Sequence, residues 1–157
     1  MIRKITTKDR DSLVSIINRI TEFSAEEKEV AIELIDESIK EVNDNPYITF
    51  VFVLDETAIG FYCIGKRALT DGVFDLYWIV VDPRKQEKGY GKDLLLHAEK
   101  FVEKSNGRWL LIETSSKAEY KKTRNFYLRN FYTKVAEIND FYSKDDHLII
   151  FGKYLIT

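Results

Sequence analysis

The sequence has one cysteine, Cys63, and only two prolines among its 157 residues. A lone thiol closes no internal disulfide and cannot build a cysteine-rich metal site, so no metal centre is expected. An excess of charge of one sign is also missing. Lys and Arg number 24 against 26 Asp and Glu, a formal net charge of −2, which removes any global electrostatic reason to bind nucleic acid. No apolar run is long enough to span a bilayer. The opening Met1-Ile2-Arg3-Lys4-Ile5 has no apolar h-region behind its basic residues, as a signal peptide would. A cytoplasmic protein with neither a nucleic-acid nor a membrane partner is the expectation. A chain that is 45% hydrophobic and 32% charged is long enough for one well-packed domain over residues 1–157 and too short for two ordinary ones.

Hydrophobic spacing gives the elements. Ile2 to Ile5 reads as a short strand, and Thr6-Thr7-Lys8-Asp9 offers cap chemistry for a helix burying Leu13, Ile16, Ile17 and Ile20. Ser24-Ala25-Glu26-Glu27 has the serine-to-glutamate spacing of a capping box, followed by the stripe Val30, Ala31, Leu34, Ile35 and Ile39. Tyr47 to Leu54 and Ala58 to Gly65 form a hairpin about Asp55-Glu56-Thr57. The strand Phe74 to Val81 ends at Asp82-Pro83, where proline blocks ladder pairing. The next helix buries Leu94, Leu95, Ala98, Phe101 and Val102 and stops at Asn106-Gly107. Trp109 to Thr114 is a strand and Ala118 to Asn130 helical. Phe131 to Ile138 and His147 to Leu155 pair through Ser143-Lys144-Asp145-Asp146. The order β-α-α-β-β-β-α-β-α-β-β describes a mixed α/β (α+β) sheet protein.

Between a buried strand and a helix stand Gly89 and Gly91, with Gln86 three residues before the first. Amides in the first turn of a helix lack intrahelical partners, and the helix dipole adds partial positive charge there. Glycine lets a phosphate approach the backbone, and Arg84, Lys85, Lys88 and Lys92 surround the turn with cations. A dinucleotide site would need a third glycine at position 94, which is leucine, and an acid about 20 residues on, for which Glu113 is only loosely placed. A triphosphate P-loop would need Gly-Lys-Ser/Thr, which does not occur.

Val80-Val81-Asp82-Pro83, Gln86-Glu87-Lys88-Gly89-Tyr90-Gly91 and Leu94-Leu95 resemble the acetyl-CoA signature of the GNAT superfamily. That signature is a glutamine or arginine, two residues, glycine, one residue, then glycine or alanine. Asn125-Phe126-Tyr127-Leu128-Arg129-Asn130-Phe131 is similar to the family's second motif, a tyrosine followed by glycine-phenylalanine. Asn130 stands in the glycine's place, as the non-glycine residue that best tolerates left-handed angles. The likeness runs from Ile2 to Leu155 and implies the GNAT-like acyl-CoA N-acyltransferase fold.

The resemblance implies an N-acetyltransferase with acetyl-CoA as cosubstrate and a primary amine, small-molecule or peptide, as acceptor. It places Ile79, Val80 and Val81 along the pantetheine arm through their main chain, and Glu87, Lys88, Gly89, Tyr90, Gly91 and Lys92 on the pyrophosphate. Tyr127 matches the tyrosine that protonates the departing thiolate. An amine of pKa about 10 arrives protonated at neutral pH, so a base is needed. Glu113 and Asp75 are the two candidates, and a chain of waters is a third route. Period two puts Asp75 on one face with Tyr77, Ile79 and Val81. The basic run Lys117, Lys121, Lys122 and Arg124 is a solvated helical face or a contact for the adenosine 3′-phosphate, with Thr123 or Tyr120 beside the cofactor.

His97 reads as a surface or interface histidine, His147 as a strand residue without metal partners, and Cys63 as a small core residue. The acids Glu22, Glu26, Glu27, Glu29, Glu33, Asp36, Glu37 and Glu41 fall on the first two helices. They are an ordinary solvated face or a rim that attracts a cationic, polyamine-like acceptor. Asp140-Phe141-Tyr142-Ser143-Lys144-Asp145-Asp146 is a hairpin connection or part of the acceptor pocket. The rival function is a non-catalytic acyl-CoA sensor or interaction module on the same fold. The acceptor and the oligomeric state stay open, with a homodimer the prior for the latter.

Overall fold

The computed structural model describes residues 1–155. Its elements are β1 (Ile2–Lys4), α1 (Arg10–Asn18), α2 (Ala25–Ile39), β2 (Ile48–Leu54), β3 (Thr57–Lys66), β4 (Val73–Val81), α3 (Tyr90–Lys104), β5 (Trp109–Ser115), α4 (Lys121–Arg129), β6 (Thr133–Ser143) and β7 (Asp146–Tyr154). This is the order expected from spacing. Short 3₁₀ turns at Thr7–Asp9, Pro83–Lys85 and Ala118–Tyr120 lead into α1, α3 and α4. No helix among the described residues is long and apolar enough to cross a membrane.

The described residues form two compact units, one of residues 1–65 and 77–101, the other of 66–76 and 102–155. Strand β4 gives its second half to the first unit and its first half to the second.

In the first unit the strands follow the order β1-β2-β3-β4. β1 lies antiparallel on β2 with Arg3 opposite Val51, and β2 antiparallel on β3 with Phe50 opposite Tyr62. The β2–β3 turn is the pair Asp55 and Glu56, at φ 47° and 61°. Left-handed angles at both central residues match the twist of the flanking strands. Leu13, Ile16, Ile17, Ala31, Ile35, Val51, Phe61 and Val80 make the core, with Phe23, Ile32, Ile39 and Trp78 packed on its margin. Of the expected α2 stripe, Ala31, Leu34, Ile35 and Ile39 are buried or half-buried, and Val30 alone falls outside it. Val30 is 48% exposed, because the buried line runs through Ala31, Ile35 and Ile39 at steps of four. The capping serine behaves as its spacing predicts, its hydroxyl accepting from the Glu27 amide at 3.1 Å. Helix α3 sits close to β3 and β4 because Gly60 has no side chain: a Cβ there would lie 2.6 Å from the Val80 carbonyl oxygen and 3.2 Å from Leu94 Cδ1.

In the second unit β5 runs parallel to β4, pairing Val73 with Trp109 through Leu76 with Ile112. β7 lies antiparallel on β5 and β6 antiparallel on β7. Leu110, Ile112, Tyr127, Tyr132, Leu148 and Phe151 are buried, whereas β6 is exposed along its length. Strand β6 begins after the expected Phe131, because Phe131 belongs to the end of α4. There the sequence reading needs correction. Asn130 keeps a negative φ of −98°, and Phe131 takes the left-handed angle at φ 68°. The Tyr132 amide donates to the Tyr127 carbonyl at 3.1 Å and the Phe131 amide to the Leu128 carbonyl at 3.2 Å. This is a Schellman ending with a phenylalanine where glycine is usual. The position equivalent to the motif's glycine is Phe131, and the aromatic after it is Tyr132, which is buried.

A non-glycine residue in the left-handed region costs about 1–2 kcal/mol, and the Phe131 ring is 81% exposed, so little burial is lost with it. Phe131→Gly is expected to raise stability by about 1 kcal/mol after glycine's extra chain entropy is deducted. The urea midpoint should rise at unchanged slope. A lower midpoint would mean that the ring, with Lys153 Nζ 5.9 Å from its centroid, stabilises the helix end more than its backbone angle strains it.

Candidate functional site

The turn after β4 lies open to solvent. Residues 83–89 are all exposed. Glu87 and Gly89 both take left-handed angles, φ 66° and 83°. The first α-helical bond of α3 runs from the Asp93 amide to the Gly89 carbonyl at 3.1 Å, so the amides of Tyr90, Gly91 and Lys92 precede the hydrogen-bonded ladder. A Cβ built on Gly89 meets nothing within 4 Å, which leaves room over the turn. Gly91 lies inside the first turn of α3 rather than at a left-handed position. Successive amides pointing one way, at a helix N-terminus, suit an anion with several oxygens such as a diphosphate. Gln86 faces back along the strand, Nε2 donating to the Val81 carbonyl at 3.4 Å. Val80 is buried and Ile79 and Val81 half-buried. The even-numbered residues of β4 face the core, leaving Asp75, Tyr77, Ile79 and Val81 on its other face.

Asp82 closes the strand and anchors the turn. It is 2% exposed, and its amide donates to the Ile59 carbonyl at 2.8 Å. Its carboxylate accepts from the Arg84 amide at 3.0 Å, from Arg84 Nη2 at 2.9 Å and from Arg19 Nη2 at 2.8 Å. Burial alone would push this carboxyl up. The hydrogen bonds from Arg84 and Arg19 outweigh it and hold the group well below the usual carboxylate range.

The second unit holds the other chemistry. Tyr127 is 3% exposed and packs against Phe126, Tyr132 and Phe151 at ring separations of 5.4–5.9 Å. Burial pushes its phenol up, so it stays protonated at neutral pH, as a proton donor must. Asp75 and Glu113 are brought to the same cation. Arg67 grips Asp75 with Nη2 at 2.7 Å and Nε at 3.0 and 3.1 Å, and its Nη2 lies 3.7 Å from Glu113. The Asp75 oxygens are thus occupied by guanidinium donors, while Glu113 is 48% exposed and only loosely paired. Thr123 is half-buried on α4.

Other residues singled out in the sequence also find their places. His97 is half-buried, with Nδ1 2.8 Å from the Tyr62 hydroxyl and its ring against Phe50, and so belongs to the packing of α3 on the sheet. Cys63 is a core residue as expected, and burial pushes its thiol up to about 11. Arg124 is not a mere solvated charge: it donates to the Ser115 and Lys117 carbonyls at 2.8 and 2.7 Å. Lys117 lies 3.6 Å from the buried Asp146. His147 Nδ1 accepts from the Asp140 amide at 2.8 Å within the β6–β7 hairpin. Sequence reasoning missed Arg19 and Arg67 because each meets its carboxylate through folding. Asp82 had a local signal, since aspartate before proline at a strand end is a turn cap.

A model of the acetyltransferase (GNAT) domain matches residues 45–134. A GNAT-family protein of Desulfovibrio desulfuricans, described as an acetyltransferase, is 31% identical over 99% of both chains, with a TM-score of 0.94. The aminoglycoside 6′-N-acetyltransferase of Enterococcus faecium is 16% identical over 100% of this chain and 98% of its own, with a TM-score of 0.78. The ribosomal-protein-S18-alanine N-acetyltransferase of Escherichia coli is 21% identical over 100% and 94%, with a TM-score of 0.77. No curated protein sequence matches the chain.

Asp82 links stability to pH. Its folded value is depressed, so its contribution is complete above the unfolded value of about 3.9 and is lost as pH falls through the folded one. Asp82→Asn should cost about 2 kcal/mol at pH 7. It should also flatten the fall in stability below about pH 4. Urea melts across that range check both, and equal acid slopes in the two proteins would refute the assignment.

Proposed function

Because the chain belongs to the GNAT acetyltransferase family, we propose that it moves an acetyl group from acetyl-CoA to a primary amine by direct attack. The observation that carries this reading is the turn at residues 86–92. Its left-handed Glu87 and Gly89, the open space over Gly89 and the first turn of α3 ahead of its ladder bond fit the diphosphate of coenzyme A. A solved aminoglycoside 6′-N-acetyltransferase that shares the fold holds coenzyme A. When bound, acetyl-CoA supplies an activated thioester.

The residues of this chain then take separate tasks. The amides of residues 87–92 hold the diphosphate, with Lys85, Lys88 and Lys92 adding positive charge. Main-chain groups of Ile79, Val80 and Val81 line the pantetheine arm. Tyr127, kept protonated by burial, delivers a proton to the leaving sulfur. Of the two carboxylates Glu113 is the better base, because the Asp75 oxygens are engaged by Arg67; Asp75 then orients Arg67, and a water relay serves an acceptor that does not reach Glu113. The acceptor is a cationic amine drawn by the acids of α2, with Glu22 before it and Glu41 after it rather than on α1. Part of that rim is already neutralised, since Arg10 holds Asp36 at 2.6 Å and Lys40 holds Glu37 at 2.5 Å. The proposal keeps the cytoplasmic location and leaves open whether the protein acts as a homodimer.

Thiol release from acetyl-CoA over a panel of polyamines, aminoglycosides, amino acids and peptide N-termini tests the reading. Tyr127→Phe should lower kcat by about a hundredfold with little change in the KM for acetyl-CoA. Tight coenzyme A binding without acceptor-dependent thiol release across the panel would instead identify the sensor. Glu113→Gln should lower kcat/KM at pH 7 by about a hundredfold, whereas Asp75→Asn should act mainly on stability. The reverse ranking would move the base to Asp75.

A further inference from the structure

Two guanidinium groups converge on the single buried carboxylate of Asp82, one more than charge balance requires. Arg19 satisfies it from the end of α1 with two prongs, Nη2 to Oδ2 at 2.8 Å and Nε to Oδ1 at 3.3 Å. Arg84 repeats the pattern, Nε at 3.2 and 3.3 Å and Nη2 at 2.9 Å, and also donates its backbone amide at 3.0 Å. The two differ in their surroundings. The Arg19 side chain is 32% exposed and the Arg84 side chain 66%. Arg84 also sits on the 3₁₀ turn Pro83–Lys85, which runs directly into Gln86 and the left-handed Glu87.

We propose that Arg84 is a parked cation: when a diphosphate enters the turn, its guanidinium leaves Asp82 for the phosphate oxygens, and Arg19 stays behind to neutralise Asp82. The inference rests on the acetyl-CoA reading of this turn. Leaving a buried carboxylate without its cation is strongly unfavourable, and that would hold Arg84 in place if it were the only guanidinium present. With Arg19 two-pronged on the same oxygens and the Arg84 amide still donating, Asp82 keeps a guanidinium partner after the departure, which costs less than stripping a buried carboxylate of its last cation. The guanidinium gains a partner whose geometry it matches in two parallel bonds. Arg19 therefore governs how readily the turn's cation is released, although it lies at the end of another helix.

Calorimetric titration of the whole protein with coenzyme A, and with pantetheine, which has the same arm without the diphosphate, tests this. Arg84→Gln should weaken coenzyme A binding about tenfold. Arg19→Gln should weaken it by about three- to tenfold, because Arg84 is then the last guanidinium on Asp82. The double variant should bind no more weakly than Arg84→Gln alone, since the effect of Arg19 passes through Arg84. Pantetheine affinity should be unchanged throughout. If Arg19→Gln does not fold, Arg19→Lys keeps a charge on Asp82 and should bind coenzyme A within about threefold of the parent. Losses that multiply in the double variant, an Arg19→Gln protein with parental affinity, or an equal loss for pantetheine would each overturn the proposal. Absence of coenzyme A binding by the parent would overturn the acetyl-CoA reading itself and the inference with it.

Discussion

The carboxylate of Asp82 sits where β4 stops and the turn into α3 starts, and three parts of the chain depend on it. Its amide fastens the strand end to Ile59 of β3, and its oxygens hold Arg84 in the turn and Arg19 at the end of α1. The group is buried yet ionised, a state that persists only while hydrogen-bonded cations offset its lost hydration. The turn that follows keeps Glu87 and Gly89 at left-handed angles. Such geometry survives where the surrounding structure over-determines it, and Asp82 supplies the fixed end.

The end of α4 shows the same economy of backbone. Phe131 accepts a left-handed angle so that the Tyr132 amide can reach the Tyr127 carbonyl. That bond fixes where the helix ends and directs Tyr132 inward against Tyr127. The phenol assigned to proton delivery is therefore held by its own helix ending and by Phe151 packed against it. A side chain held in this way loses little freedom on acting, which is the condition for effective acid catalysis by a weak acid.

Arg67 divides the two candidate carboxylates. By binding Asp75 through both of its oxygens and touching Glu113 only loosely, it makes similar residues on adjacent strands chemically unequal. Parallel pairing of Asp75 with Leu111 and of Leu76 with Ile112 sets the spacing that lets one guanidinium serve both. The shared fold leaves the acceptor undetermined, since fold neighbours include one enzyme acting on aminoglycosides and another on a ribosomal protein.

The element order, the β2–β3 hairpin, the Ser24 cap and the strand–turn–helix around Gly89 were all legible in the sequence, because each depends on residues within a few positions of one another. Periodicity placed the buried faces of α1 and α3 correctly and went wrong on α2 only at Val30, at a margin that packing decides. The glycine-like position of α4 was misplaced from Asn130 to its neighbour for a similar reason: propensity favours asparagine, but the hydrogen bonds of the helix end select Phe131. The partnership of Asp82 with Arg19 was decided by tertiary structure alone, whereas Arg67 and Asp75 lie eight residues apart across the β3–β4 connection. Arg19 and Asp82 are 63 residues apart, and a charge pair so distant leaves no local pattern. The sequence determined the local elements and the composition of the turn at Gly89; folding decided which distant charges meet, because only the packed chain brings Arg19 to Asp82.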